Sequence, residues 1–233
     1  MHPAAVETGD SRSAAQAAAH RALAWRLLAL YAAWWAWLAI APRYRADWAL
    51  ENVLVLVALP VLFAIHRDLT RASLLAVFAF LLLHAVGAHY TYAEVPYDDW
   101  ARALTGGTVN GLFGWERNHF DRLVHFLYGL LVTPAAVDLL RARVGLRGFW
   151  ACFIPFTFMT AQAGGYEIIE WFAAEVFGGE LGQAYLGTQG DVWDSQKDSG
   201  LMVLGTLLAL ALLRLSRPVG RGILATKGDA HDG

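Results

Sequence analysis

Six stretches of the chain are almost unbroken in apolar residues, at 22–41, 48–65, 73–90, 123–140, 149–176 and 200–216. Each is close to the roughly 20 residues that an α-helix needs to cross the hydrocarbon of a bilayer. The runs are continuous rather than alternating with period two, which selects helices over the strands of a membrane barrel. Connections at 42–47 and 66–72 leave no space for a soluble domain between spans. The pattern predicts an all-α, polytopic membrane bundle of six transmembrane helices over 22–216, flanked by polar, disordered tails at 1–21 and 217–233. Ala39-Ile40-Ala41 imitates the end of a secretory signal, but the length of the run before it and Trp25, Trp34, Trp35 and Trp37 mark a retained span.

Composition agrees with this reading. Hydrophobic residues make up 57% of the chain and charged residues 16%, whereas soluble domains carry about 25% charged residues. The lipid bilayer is therefore the implied partner, and a net charge of −2 offers nothing to a nucleic acid. Cys152 is the sole cysteine, which excludes intrachain disulfides and thiolate metal clusters.

Basic residues set the expected orientation. Arg12, Arg21 and Arg26, then Arg67 and Arg71, then Arg141, Arg143 and Arg147, and finally Arg214, Arg217, Arg221 and Lys227 fall on one side of the six runs. Only Arg43, Arg45, Arg102, Arg117, Arg122 and Lys197 fall on the other. Twelve against six places both termini in the cytoplasm and turns the two long connections, 91–122 and 177–199, outward.

Ionisable residues gather at that outward end. Asn118, Asp121 and His125 share one helical face at the start of the fourth run, with His119 and Arg122 beside them and His89 closing the third run. Glu167 and Glu170 lie one turn apart in the fifth run, with Gln162 and Tyr166 adjoining, and Asp191, Asp194 and Asp198 share a face if their segment is helical. His125, Glu167 and Asp194 are thus expected in one polar cluster. The six carboxylates Asp121, Glu167, Glu170, Asp191, Asp194 and Asp198 face three fixed cations, Arg117, Arg122 and Lys197. Like charges sharing a site cannot all stay ionised, so protons, charged histidines or a bound divalent metal ion must meet the excess. Asp121, His125, Asp191, Asp194 and Asp198 are the candidate ligands; carboxylate with imidazole suits Zn²⁺, Mn²⁺ or Fe²⁺, and carboxylate alone suits Ca²⁺ or Mg²⁺. Solvated helix ends and interhelical ion pairs are the simpler accounts of the same residues. His84 lies off the His89 face and reads as a core histidine, and Trp48, Trp100, Trp115, Trp150 and Trp171 read as interfacial anchors.

The segments 89–96, 117–122 with His125-Phe126, 166–171 and 186–194 together resemble the YjdF-like bacterial inner-membrane proteins, a family of unknown function. The resemblance covers about residues 25–215 and implies an inner-membrane location without implying a reaction. Asp121-Arg122-Leu123-Val124-His125-Phe126 is also similar, more weakly, to the VanZ-like membrane proteins, with Arg where those carry Lys. Two functional classes follow. One is a structural, ion- or proton-handling envelope protein; the other is a metal-dependent hydrolase or transferase acting on a lipid-linked or envelope substrate, with Glu167 or Glu170 as base.

The basic-residue asymmetry generates a test of topology. Reporter fusions at the termini and in the 141–147 connection are expected to read cytoplasmic, and a fusion at Gly179 periplasmic; a cytoplasmic signal at Gly179 overturns the orientation.

Overall fold

The computed structural model describes residues 4–177 and 188–216, and every regular element among them is helical. The long helices are α1 (Ala4–Leu38), α2 (Arg45–Ile65), α3 (Arg71–Tyr90), then, after two short helices α4 (Tyr97–Thr105) and α5 (Val109–Phe113), α6 (Phe120–Val144), α7 (Trp150–Phe177) and α8 (Asp194–Leu215). Residues 4–21, expected as a disordered tail, form the first turns of α1. The expected tail at 217–233, with Leu186 and Gly187 of the last family motif, lies outside the described residues.

Four segments are long and apolar enough to cross a membrane: Arg45–Asp68, Arg71–Tyr90, Phe120–Val144 and Asp194–Leu215. α1 and α7 fall short on hydropathy, not on charge. Clustered tryptophans in α1 and the Gln162-Ala163-Gly164-Gly165-Tyr166 stretch in α7 lower the mean, yet no Asp, Glu, Lys or Arg occurs between Leu27 and Pro42 or between Trp150 and Tyr166.

Contacts at the helix ends fix the directions. His20 Nε2 meets the His66 carbonyl at 2.9 Å just before α3, and His89 Nδ1 meets the Leu38 carbonyl at 2.7 Å at its far end, so α1 and α3 run parallel. Near the end of α6, Asp138 accepts from Thr70 N–H at 2.9 Å and from the Ser73 hydroxyl at 2.6 Å, so α6 runs against α3. Arg214 Nε lies 3.3 Å from Cys152 Sγ, joining the end of α8 to the start of α7. The six long helices therefore alternate in direction.

α6 and α8 pair most extensively; α3 lies on another side of α6, α7 touches both α6 and α8, α1 covers α3, and α2 leans on α3. The α6–α8 pair is a backbone-to-backbone contact. A Cβ on Gly129 would run into the Met202 carbonyl oxygen, and one on Gly205 into the Phe126 carbonyl oxygen. One turn deeper, the fully buried Thr133 and Thr206 hydroxyls bond each other at 3.2 Å. Small residues let membrane helices approach this closely, and polar contacts then add to the packing. Met159, Ala163, Ala136 and Met202 complete the core around the pair.

Gly129→Ala tests this contact because two effects oppose. Alanine gains about 1 kcal/mol in helix propensity over glycine, whereas forcing an extra carbon into a packed interface costs about 1–3 kcal/mol or more. The clash is with backbone, which yields least, so the variant is expected to unfold at a lower temperature in detergent than wild type. Unchanged or raised thermal stability would show that α6 and α8 are not in this register.

Candidate functional site

The N-terminal ends of α6 and α8 are tied together by arginine. Arg117 Nη1 lies 2.7 Å from Asp194 Oδ1 and donates to the Thr188 carbonyl at 3.1 Å. Arg122 Nη2 bonds Asp191 and, at 3.0 Å, Asp194. Lys197 also reaches Asp191. The segment before α8 is held by a second device, a reciprocal amide pair: Asn118 N–H donates to Gln189 Oε1 at 2.9 Å and Gln189 Nε2 to the Asn118 carbonyl at 3.0 Å. Asn118 also caps the next helix through Phe120 N–H at 2.9 Å and ties down the Val95 carbonyl at 2.9 Å.

These pairs divide the six carboxylates. Asp191 and Asp194 take the three fixed cations. Asp121, Asp198 and Glu167 lie on the inner side, around His125. His125 Nε2 is 3.5 Å from Asp121 Oδ1 and its Nδ1 is 4.0 Å from Glu167 Oε1. Ligand atoms of Asp121, His125 and Asp198 all lie within 4.8 Å of one another. Asp198 is 3% exposed, and its Oδ1 has no hydrogen-bond partner, Arg122 Nε standing off at 4.0 Å. Glu167 Oε1 is likewise buried without a hydrogen bond, while the residue bonds Ser195 through its side chain. Glu170 bonds Tyr166 and lies within electrostatic reach of Asp121 and Glu167. The Tyr166 ring packs edge-on against His125, centroids 5.7 Å apart.

Two expected members stand elsewhere. His89 is engaged with the end of α1 and packs on Tyr90, ring centroids 4.5 Å apart. His119 is at the rim, tilted against Trp115 with its backbone N–H donating to Tyr97 at 2.9 Å; burial, with Arg122 and Arg117 nearby, pushes its imidazole below the ordinary value.

A family described as predicted membrane protein, DUF2238, matches residues 23–218. The chain belongs to that family. It is also 33% identical over 179 residues to the inner membrane protein YjdF of Escherichia coli strain K12, covering 75% of this chain and 80% of that relative. This DUF2238 member is accordingly a multi-pass inner-membrane protein. No solved structure matches it. The matches add nothing to the VanZ-like resemblance.

The DUF2238 chain holds a second polar group that the sequence reading passed over. Asp47, Glu51 and Asn52 at the start of α2 are all buried. Thr91 donates to Asp47 at 3.1 Å, and Trp35 of α1 donates to Asn52. His84 is a core residue as expected, its Nδ1 joined to the Tyr92 hydroxyl, but its Nε2 has no hydrogen-bond partner. Tyr92 reaches back because Thr91 and Tyr92 both adopt positive φ, 53° and 50°, and because Gly87 leaves room where a Cβ would strike the ring. The signal available in the sequence was Asp47 and Glu51, one turn apart at the mouth of an apolar run, where a carboxylate is costly unless it faces an interior.

Asp191 generates a pH test, since it precedes α8 and lies outside the membrane-spanning helices. The Lys197 ammonium, then the Trp193 N–H and Arg122, hold its carboxyl well below the usual carboxylate range. A depressed folded-state value means stability that is present above the unfolded value, about 3.9, and that is lost as pH falls toward the folded one. The thermal-stability gap between wild type and Asp191→Asn is expected to be widest near neutrality and to narrow below about pH 5. A gap independent of pH would remove the ion-pair account of Asp191.

Proposed function

We propose that this protein holds a divalent cation at the outward end of a six-span bundle, on Asp121 and His125 of α6 and Asp198 of α8. The observation that carries the reading is the convergence of those three ligand atoms together with a buried Asp198 oxygen that no protein donor satisfies. A buried carboxylate needs a proton, a cation or hydrogen bonds. The fixed cations are already engaged by Asp191 and Asp194, which leaves the inner carboxylates in excess. With imidazole in the set, Zn²⁺, Mn²⁺ and Fe²⁺ fit better than Ca²⁺ or Mg²⁺.

In this reading Glu167 is a positioning residue. His125 Nδ1 stands 4.0 Å from Glu167 Oε1, beyond hydrogen-bond distance, but the carboxylate's charge favours a proton on Nδ1 and so leaves Nε2, 3.5 Å from Asp121, for the cation. Glu170, bonded to Tyr166, supports the same wall. Glu167 Oε1 is buried without a hydrogen bond, so its charge adds to the inner excess that a cation would meet. A cation there would supply Lewis acidity to any oxygen ligand that reached it.

The reading includes six crossings within one transmembrane domain, 22–216, and cytoplasmic termini. Support comes from the alternation of the six long helices, the uncharged cores of α1 and α7, and the twelve-to-six distribution of basic residues.

Elemental analysis of protein purified in mild detergent without chelator is the direct test. A near-stoichiometric transition metal is expected in wild type and in Asp191→Asn, with loss in Asp198→Asn and His125→Gln. Chelation is expected to lower the melting temperature of wild type toward that of Asp198→Asn and to leave that variant unmoved. A metal-free wild type whose stability ignores chelator, with Asp198→Asn equally or more stable, rejects the site and leaves protonated carboxylates as the account.

A further inference from the structure

Beside the inner carboxylates lies a cavity of about 440 Å³, bounded by α2, α3, α6, α7 and α8. This is within the roughly 300–1,000 Å³ of small-molecule sites. Its lining changes character across its length. By their positions along the helices, Asp121, His125, Tyr166, His84 and Tyr92 line one end with Ile169 beside them, and Val57, Ala58 and Phe80 line the other. Tyr128 and Met202 form the inner wall, Tyr128 being fixed to Gln162 across α6 and α7 at 2.9 Å and Met202 being 3% exposed.

The cavity opens sideways. α2 leans on α3 without any extensive contact with α7, and the two cavity-lining residues at the edges of that gap, Val57 on α2 and Ile169 on α7, are 62% and 51% exposed. Val57 sits near the middle of a helix long and apolar enough to cross a membrane, where the surroundings are acyl chains rather than water, and Ile169 lies with the exposed Ile168 and Phe172 on α7. A water-filled chamber would expose its hydrogen-bonding groups to the entrance, but here the entrance is apolar and the polar groups lie within.

We propose that this cavity seats one acyl chain of a membrane glycerophospholipid, admitted through the gap between α2 and α7, with the lipid phosphate drawn to the Asp121–His125–Asp198 site. The placement of the phosphate rests on the cation reading above; the seat for the chain does not. Three features fit this occupant: the lateral mouth at hydrocarbon depth, the apolar length beyond it, and the polar end beside the carboxylates. A phosphate facing Asp121 and Asp198 directly would meet like charge, so the headgroup needs the cation between them.

The test uses the whole chain in liposomes of phosphatidylethanolamine and phosphatidylglycerol, a fraction of the phosphatidylglycerol carrying a diazirine in one acyl chain. After illumination, adducts are mapped by peptide mass spectrometry. Surface lipid marks Leu56 and Phe63, which are 68% and 56% exposed, in any event. The expected result is additional labelling of Tyr128 and Met202, lost in Ala58→Trp, which fills the cavity, and in Ile169→Trp, which blocks its mouth, while labelling of Leu56 and Phe63 persists. The two variants act at different places, so one that fails to fold leaves the other to decide. Labelling of Leu56 and Phe63 alone in folded wild type overturns the proposal. Inner labelling that survives chelation, or that a diazirine diacylglycerol reproduces equally, keeps the seat for the chain and overturns the phosphate contact. Inner labelling that chelation abolishes and diacylglycerol fails to reproduce supports both.

Discussion

The close approach of α6 and α8 is the constraint on which the polar cluster at their N-terminal ends depends. Gly129 and Gly205 allow each backbone to rest against the other, and the register so set carries His125, one turn above Gly129, to the level of Asp198, about two turns above Gly205. Separating the axes by a methyl group would separate ligands drawn from two helices. The candidate cation site is therefore as much a product of two glycines without chemistry as of three residues with it.

Electrostatics then sorts what packing has brought together. Asp194 is nearly as buried as Asp198, but the two face different fates because the arginines enter from the loop side. Arg117 and Arg122 project along the rim, satisfy Asp191 and Asp194, and stop short of the inner carboxylates. Buried ion pairs add little net stability, because desolvation offsets much of the attraction, yet removing one partner is expensive. Their plainer contribution is geometric: together with the Asn118–Gln189 amide pair, they hold the chain entering α8 against the chain entering α6.

Much of this was legible in the residues. Continuous apolar runs gave the helices, and helical spacing put Asp121 beside His125, as the structure has them; Asn118 and Asp191, expected on the same faces, precede helices that begin at Phe120 and Asp194. The partition of the carboxylates was not legible, since Arg117 and Arg122 meet partners roughly seventy residues away and spacing along one helix says nothing of that. His89 was drawn into the cluster by its place at a helix end, but its face of α3 is the one that packs on α1, where its ring meets the Leu38 carbonyl. Asp47 and Glu51 escaped notice because a lone apolar run absorbs two acids at its edge; only the neighbours α1 and α3 reveal that they are enclosed. The length of α1 was underestimated for a different reason: alanine-rich polar sequence reads as unstructured by hydropathy, although alanine is the best helix former.

The separation between the arginines and their acids also shapes how the protein is made. Arg122 emerges during synthesis 69 and 72 residues ahead of Asp191 and Asp194. Until α8 arrives, the nascent chain carries two guanidinium groups and a half-built acidic face at the end of α6, without the counter-ions that make them tolerable beside hydrocarbon. Insertion of the last helix is thus the step that discharges this end of the molecule. The ion pairs that join the starts of α6 and α8 therefore form late, once 72 further residues of chain have followed Arg122.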